Sequence, residues 1–511
     1  MMPRDLTRRT LLRLTAQTSA AFAGTALLAA CGGSAATAIS TTATSTPSNV
    51  QTATSSTASS AVSSAVSTAA SSVAASTSTA APTSSASATS TAAATSSAAP
   101  ATTARVAVGG TKVTVLTHWD PATTLKTFLP YVAEYAQTHP GVTVEVSTVS
   151  FDQLLQKITV AQTSGSIYDI YHIYDLWLAQ LIRNTSLAAA PADVATAIKG
   201  AYPAGAVDGA SSQGHVYGFP TEIDTYALNY NKRLFQEAGV AEAPKTWADL
   251  EAAARKLTKT DGTGAISQQG FGLITGWDSG VVHPWLSMLW SDGGDFLAPD
   301  FKQATFNSTA GLDALGLYQR LINEKLSDPK LSAAYSTNFI NEKTAMIVMA
   351  NWWQSSLQSK MKENYADVAT APIPIGPAGK TSIAASYSWL FAVDRTSKLQ
   401  PDAWQFLQWV NGPAAAGKSS RMGDWLLAQG ILPSRTSDQQ AHTDKLGTPF
   451  LKTYVDALQT ARPFPIVLDG SQITTDMQKQ VEGVVKTGAD PKVALTNAET
   501  EINALLKKDY G

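Results

Sequence analysis

Cysteine is almost missing from this sequence: Cys31 is the only one in 511 residues. No disulfide can close within the chain, so stability has to come from core packing. Histidine is scarce as well. His118, His139, His172, His215, His283 and His442 include no i, i+4 pair and no HExxH, which leaves a zinc site without ligands; neither a metal nor another cofactor is expected. There is no GxSxG elbow. Gly376-Pro377-Ala378-Gly379-Lys380-Thr381 imitates a phosphate loop, but GxxxxGK followed by Ser or Thr needs glycine where Pro374 stands. Basic runs are lacking and the formal net charge is −2, which argues against nucleic acid as a partner. Residues 32–104 contain no charged and no aromatic side chain. Such a stretch cannot bury enough apolar surface to offset the entropy of ordering it.

What the first residues do contain is an export layout. Arg4, Arg8, Arg9 and Arg13 stand against one acid, Asp5, and an uncharged run over 14–28 follows. That run is too short and too rich in Ala, Thr and Ser to be a comfortable membrane span, so residues 1–30 are expected to be a signal peptide. Thr7-Arg8-Arg9-Thr10-Leu11-Leu12-Arg13 resembles the twin-arginine export motif, and Leu28-Ala29-Ala30-Cys31 resembles the bacterial lipobox. The resemblance implies lipidation of Cys31 and a chain held by its lipid at the outer face of the membrane. Residues 31–104 then form a disordered Ser/Thr/Ala tether, with a random-coil span of roughly 50 Å.

The remaining residues, 105–511, exceed the usual size of a single core, so two lobes are expected. Alternation over 112–117 and 142–147 predicts strands with one apolar face. Leu125, Phe128, Leu129, Val132 and Tyr135 have helical spacing, with Pro130 expected to kink that helix or shift its start. Phe151, Leu154, Leu155 and Ile158 predict a second helix, and 167–173 a third strand. Strand, helix, strand, helix, strand is the pattern of an α/β sheet with parallel neighbours. The third strand runs into Asp175-Leu176-Trp177, at a carboxyl end, where such sheets hold ligands. Thr246 with Asp249 forms a capping box, and helices are predicted near 312–326, 401–411 and 473–486. All 12 Trp lie between Trp119 and Trp425. Trp247, Trp404 and Trp409 read as packing residues.

In order along the chain stand His139-Pro140-Gly141-Val142, Tyr168-Asp169-Ile170, Gly214-His215-Val216-Tyr217-Gly218-Phe219-Pro220 and Leu228-Asn229-Tyr230-Asn231-Lys232. Pro244-Lys245-Thr246-Trp247, Asn341-Glu342-Lys343-Thr344-Ala345-Met346, Ala371-Pro372-Ile373-Pro374-Ile375-Gly376-Pro377 and Ile431-Leu432-Pro433 follow. The set resembles the bacterial extracellular solute-binding proteins of carbohydrate-importing ABC systems, the maltose-binding-protein-like group. One departure is Asn341-Glu342-Lys343, where many relatives have a Gly before the Lys; it touches a turn.

The resemblance implies an α/β, periplasmic-binding-protein-like fold of two lobes with a ligand cleft between them. Lobe 1 would cover about 105–224 and 380–430, lobe 2 about 228–372 and 437–511, with crossings near 224–227, 372–386 and 431–434. The expected protein is a monomer and not an enzyme: it captures a sugar or oligosaccharide and hands it to a membrane permease. A sugar needs carboxylates or amides at its hydroxyl edge and aromatic rings against its C–H faces. The family pattern puts Trp119, Asp120, Asp175, Trp177 and Asp224 at ligand contacts, with Glu222 competing with Asp224. It adds Trp285 or Trp290, Trp352 rather than its neighbour Trp353, and Tyr387 and Trp389. Two other readings use the same residues: a secreted glycoside hydrolase with a carboxylate pair, and the same fold binding a polyamine or other non-sugar solute, a cation being caged by the acids and aromatics.

Overall fold

Alternation along Thr111–Thr117 (β1) buries Val113 and Val115 and leaves Lys112 outside. Val142–Thr148 (β2) and Ile170–Tyr174 (β3) flank it in parallel. The crossovers are the helices Thr124–Thr138 and Phe151–Ser164. The structure, a computed structural model, describes residues 110–415 and 417–511. The export segment, Cys31 and the tether lie outside the described residues.

Two local expectations need adjustment. The first helix starts at Thr124 and carries Pro130 in its interior. β3 begins at Ile170 rather than 167 because Asp169 is drawn sideways. Its Oδ2 accepts from Thr114 N (2.8 Å) and Thr114 Oγ1 (2.7 Å), and its Oδ1 from Ser397 Oγ (2.6 Å).

A small hairpin, Ser211–Ser212 (β4) with His215–Val216 (β5), leads into the longest strand, Gly218–Asn231 (β6). The later strands are Lys259–Thr260 (β7), Ile266–Gly272 (β8), Thr344–Ala350 (β9), Val368–Ala371 (β10), Ala385–Val393 (β11) and Arg462–Pro463 (β12). The order is β2-β1-β3-β11-β6-β9-β8-β7, with β10 added to β6 and β12 to β11.

β6 serves two sheets in succession. From Gly218 to Thr225 it pairs with β11, and from Tyr226 to Tyr230 it pairs with β9, while β10 takes its far edge from Leu228 to Asn231. The chain thus has two α/β lobes that share this strand. Residues 432–434 return alongside it: Leu432 O accepts from Ile223 N, and Ser434 N donates to Thr221 O.

Each lobe covers its sheet with helices. In the first, Phe128, Tyr135, Trp404, Phe406 and Trp425 form a core under the helices Thr124–Thr138, Gln400–Asn411 and Arg421–Ala428. In the second, Asp278–Ser291, Thr309–Asn323, Gly470–Thr487 and Pro491–Tyr510 pack together, the first of them lying against β9, all seven residues of which are buried. An unbroken apolar strand of that kind belongs to a sheet covered on both faces. Thr246 and Asp249 form the capping box, and Trp247 packs its helix start with Nε1 donating to Pro374 O at 3.1 Å.

Candidate ligand-binding site

Where β6 passes from one sheet to the other, the lobes enclose a cavity of ≈ 580 Å³. That is within the range of small-molecule sites. Its floor comes from β6 and β11. Glu222 and Asp224 are two residues apart on a strand and so face the same side. Asp224 lies opposite Tyr387, and the register slips beside Trp389, where β6 sets two residues, Thr221 and Glu222, against one of β11.

Both floor carboxylates are nearly enclosed, with Glu222 4% and Asp224 2% exposed. Asn351 fixes Asp224: its Nδ2 donates to Asp224 Oδ1 at 2.8 Å while its Oδ1 accepts from Thr225 N at 3.0 Å. Burial, and then the neighbouring Glu222, push the Asp224 carboxyl well above the usual carboxylate range, against the pull of the Asn351 bond. Glu222 Oε2 has no hydrogen-bond partner among the described residues. His172 Nε2 lies 3.5 Å from it, but that nitrogen is engaged with Thr221 Oγ1 at 3.1 Å.

The first lobe supplies one wall. After β1 the chain turns through His118-Trp119-Asp120, and the ring of His118 stacks on Trp389 with centroids 4.0 Å apart. Tyr174, at the end of β3, also stacks with Trp389, with centroids 5.4 Å apart. Burial and the adjacent His172 hold His118 well below its ordinary pKa. Trp119 reaches the cavity but is set in the lobe core, 4.4 Å from Trp425 and 4.9 Å from Phe128. Asp120 stands at the exposed rim, its Oδ1 accepting from Thr123 Oγ1, Thr123 N and Ala122 N.

The opposite wall belongs to the second lobe. Trp277 and Tyr335 face Trp352, with Trp277 6.3 Å from each ring. Trp277 precedes the helix Asp278–Ser291 and folds over its first turn, which requires glycine at 280: a Cβ there would lie 2.1 Å from the indole. Among the described residues, Trp277 Nε1 and Thr275 Oγ1 are buried without a hydrogen-bond partner. Buried polar groups are normally satisfied, so each such group beside a cavity is a point where a ligand can bond.

Trp119, Asp120, Glu222, Asp224, Trp352, Tyr387 and Trp389 therefore line the cavity, and four other candidates do not. Asp175 sits behind the wall, its Oδ2 accepting from Ser388 N at 2.8 Å, and burial raises its carboxyl to about 7. Trp177 backs Phe151, stacked at 5.7 Å. Trp285 and Trp290 are corrections: they are 0% and 3% exposed, on a helix buried on every face beyond its first residue, and they pack the second lobe. Their sequence neighbourhood is apolar all round, the mark of a core helix. Trp353 points inward, its Nε1 donating to Asn229 Oδ1 at 3.3 Å. His118, Phe151, Trp277 and Tyr335 escaped the sequence reading. An aromatic at the end of a strand or just before a helix was the available signal.

The model of the family described as bacterial extracellular solute-binding protein matches residues 120–417. The chain belongs to this family. Its members are binding proteins rather than enzymes. A putative binding protein of Brucella abortus is 24% identical over 390 residues, 74% of this chain and 90% of the relative. A maltooligosaccharide ABC transporter solute-binding lipoprotein of Streptococcus pneumoniae is 25% identical over 327 residues, 59% of this chain and 68% of the relative. Among solved structures, the GacH receptor of Streptomyces glaucescens, determined unliganded and with acarbose, superposes with a TM-score of 0.69 at 23% identity. The superposition covers 79% of this solute-binding protein and 100% of the receptor, and establishes the shared fold.

Proposed function

We propose that this protein captures a saccharide in the cavity between its lobes and delivers it to the membrane permease of an ABC importer. The observation that carries this reading is the pairing of half-buried aromatic rings on one wall with buried carboxylates at the floor. Flat rings suit the C–H faces of a pyranose, and carboxylate oxygens suit its hydroxyl edge. The maltooligosaccharide protein and the acarbose-bound receptor named above support the same ligand class. Thermal-shift screening of the full-length protein against mono- and oligosaccharides, amino acids and organic anions tests it. Stabilisation by a saccharide is expected, and stabilisation confined to a non-sugar would overturn the reading.

The anchor is part of the proposal. Lipidated at Cys31 after export through the twin-arginine route, the chain would hold its solute-binding lobes on a Ser/Thr/Ala tether at the outer membrane face. Cys31→Ser is expected to release the protein from the membrane fraction; full retention of a cleaved variant counts against the lipid.

A further inference from the structure

The charge of the cavity is one-sided. Asp120, Asp152, Glu222 and Asp224 line it, and no lysine or arginine does among the described residues. Asp175 and Asp278 stand close behind, adding to the negative field felt by Asp224 and by Tyr174. Lys360 acts on Asp120 at the rim but is not among the lining residues. The other titratable groups facing the floor are His118, His172, Tyr174, Tyr226 and Tyr387. Among the described residues no group of three His, Cys, Asp or Glu is placed to hold a metal ion.

Dehydrating a carboxylate costs several kcal/mol unless a countercharge and hydrogen bonds replace its water. Here two carboxylates share one face of one strand, one oxygen of Glu222 has no partner among the described residues, and burial first, then the neighbouring Glu222, raises the Asp224 carboxyl. A neutral sugar brings hydroxyl donors to this pair but leaves its charge uncompensated once the cavity is filled. A protonated amine brings three donors together with the missing charge. Tyr387, opposite Asp224 in the ladder, adds an aromatic face of the kind that attracts cations. A free polyamine would use the floor alone and leave Trp277, Tyr335 and Trp352 without a flat partner.

We infer that the solute is an amine-bearing saccharide whose ammonium group is held between Glu222 and Asp224. The inference rests on the saccharide reading above and narrows it.

The test is calorimetry on the full-length protein with matched sets in gluco-, galacto- and manno-configuration: the 2-amino saccharide, its N-acetyl derivative and its hydroxyl parent, as monomers and short oligomers, with spermidine as a non-sugar amine. At least one amine is expected to bind about tenfold or more tighter than both its neutral counterparts, or about 1.4 kcal/mol. Glu222→Gln, which keeps the shape and removes the charge, should reduce that preference below about threefold, the same one-decade scale applying. Asp224→Asn provides an independent variant in case Glu222→Gln folds poorly, and the N-acetyl comparison needs no variant. Neutral saccharides binding as tightly as their amines would overturn the inference and leave the saccharide reading intact. Binding of spermidine alone, or of no saccharide at all, would overturn both.

Discussion

The two walls of the cavity are both aromatic and are built on opposite principles. On the first-lobe side, Trp389 stacks with both His118 and Tyr174, at 4.0 and 5.4 Å, and is itself buried. On the second-lobe side, Trp277 meets Trp352 at 64° and 6.3 Å, and these rings remain half-buried. A stacked wall contributes to the stability of its lobe whether or not solute is present. A splayed wall leaves ring faces free, and its contribution appears on binding. Aromatic composition alone does not separate the two; the interplanar geometry does.

The comparison can be broken by truncating one ring on each side. Trp389→Ala should have the largest effect, lowering unfolding free energy by about 3–5 kcal/mol as the stack loses its centre. Denaturant titration without ligand reads this directly. A variant as stable as the parent would show that the first wall is not structural.

The next effect is a pH dependence of the first wall. Asp175, tied to Ser388 behind Trp389, is raised to about 7 by burial. A carboxyl raised in the folded state contributes stability that is fully present below the ordinary pKa of about 4 and lost as pH climbs toward about 7. The loss approaches about 4 kcal/mol at most. Asp175→Asn should flatten the melting temperature across that interval and stabilise the protein at mildly alkaline pH. An unchanged slope would mean that the carboxyl reaches water.

The smallest change in stability, and the sharpest in binding, is expected at the second wall. Trp352→Ala should cost under about 1 kcal/mol of stability, as for half-exposed positions, yet weaken solute binding about ten- to hundredfold, or about 1–3 kcal/mol. If Trp352→Ala unfolds the lobe while Trp389→Ala merely weakens binding, the assignment of the walls is reversed.

Much of the fold was readable because its signals are local. β1, β2 and the helix at Phe151–Ser164 follow from residue periodicity, and the capping box at Thr246 from two residues three apart. Pro130 shows the limit of such rules, since the helix around it continues. At the site, Glu222, Asp224 and Trp352 were placed by the resemblance to the family pattern, not by residue periodicity. Trp285 and Trp290 misled because on a helix apolar on all sides no residue pattern tells a cleft ring from a core ring. Trp277 was missed for the converse reason: its place at the cavity depends on Gly280 clearing the helix surface, a contact set by three-dimensional approach.

β6 has a consequence for how the molecule breathes. At Ile223 it is paired with β11 on one side and bonded to the returning segment 432–434 on the other, and from Leu228 to Tyr230 it lies between β9 and β10. Amides flanked on both sides exchange with solvent only when large units open. In deuterated water the backbone beneath Glu222 and Asp224 should be among the last to take up label, after the loop that carries Trp277. The floor that receives the solute would then keep its shape through every excursion short of global unfolding.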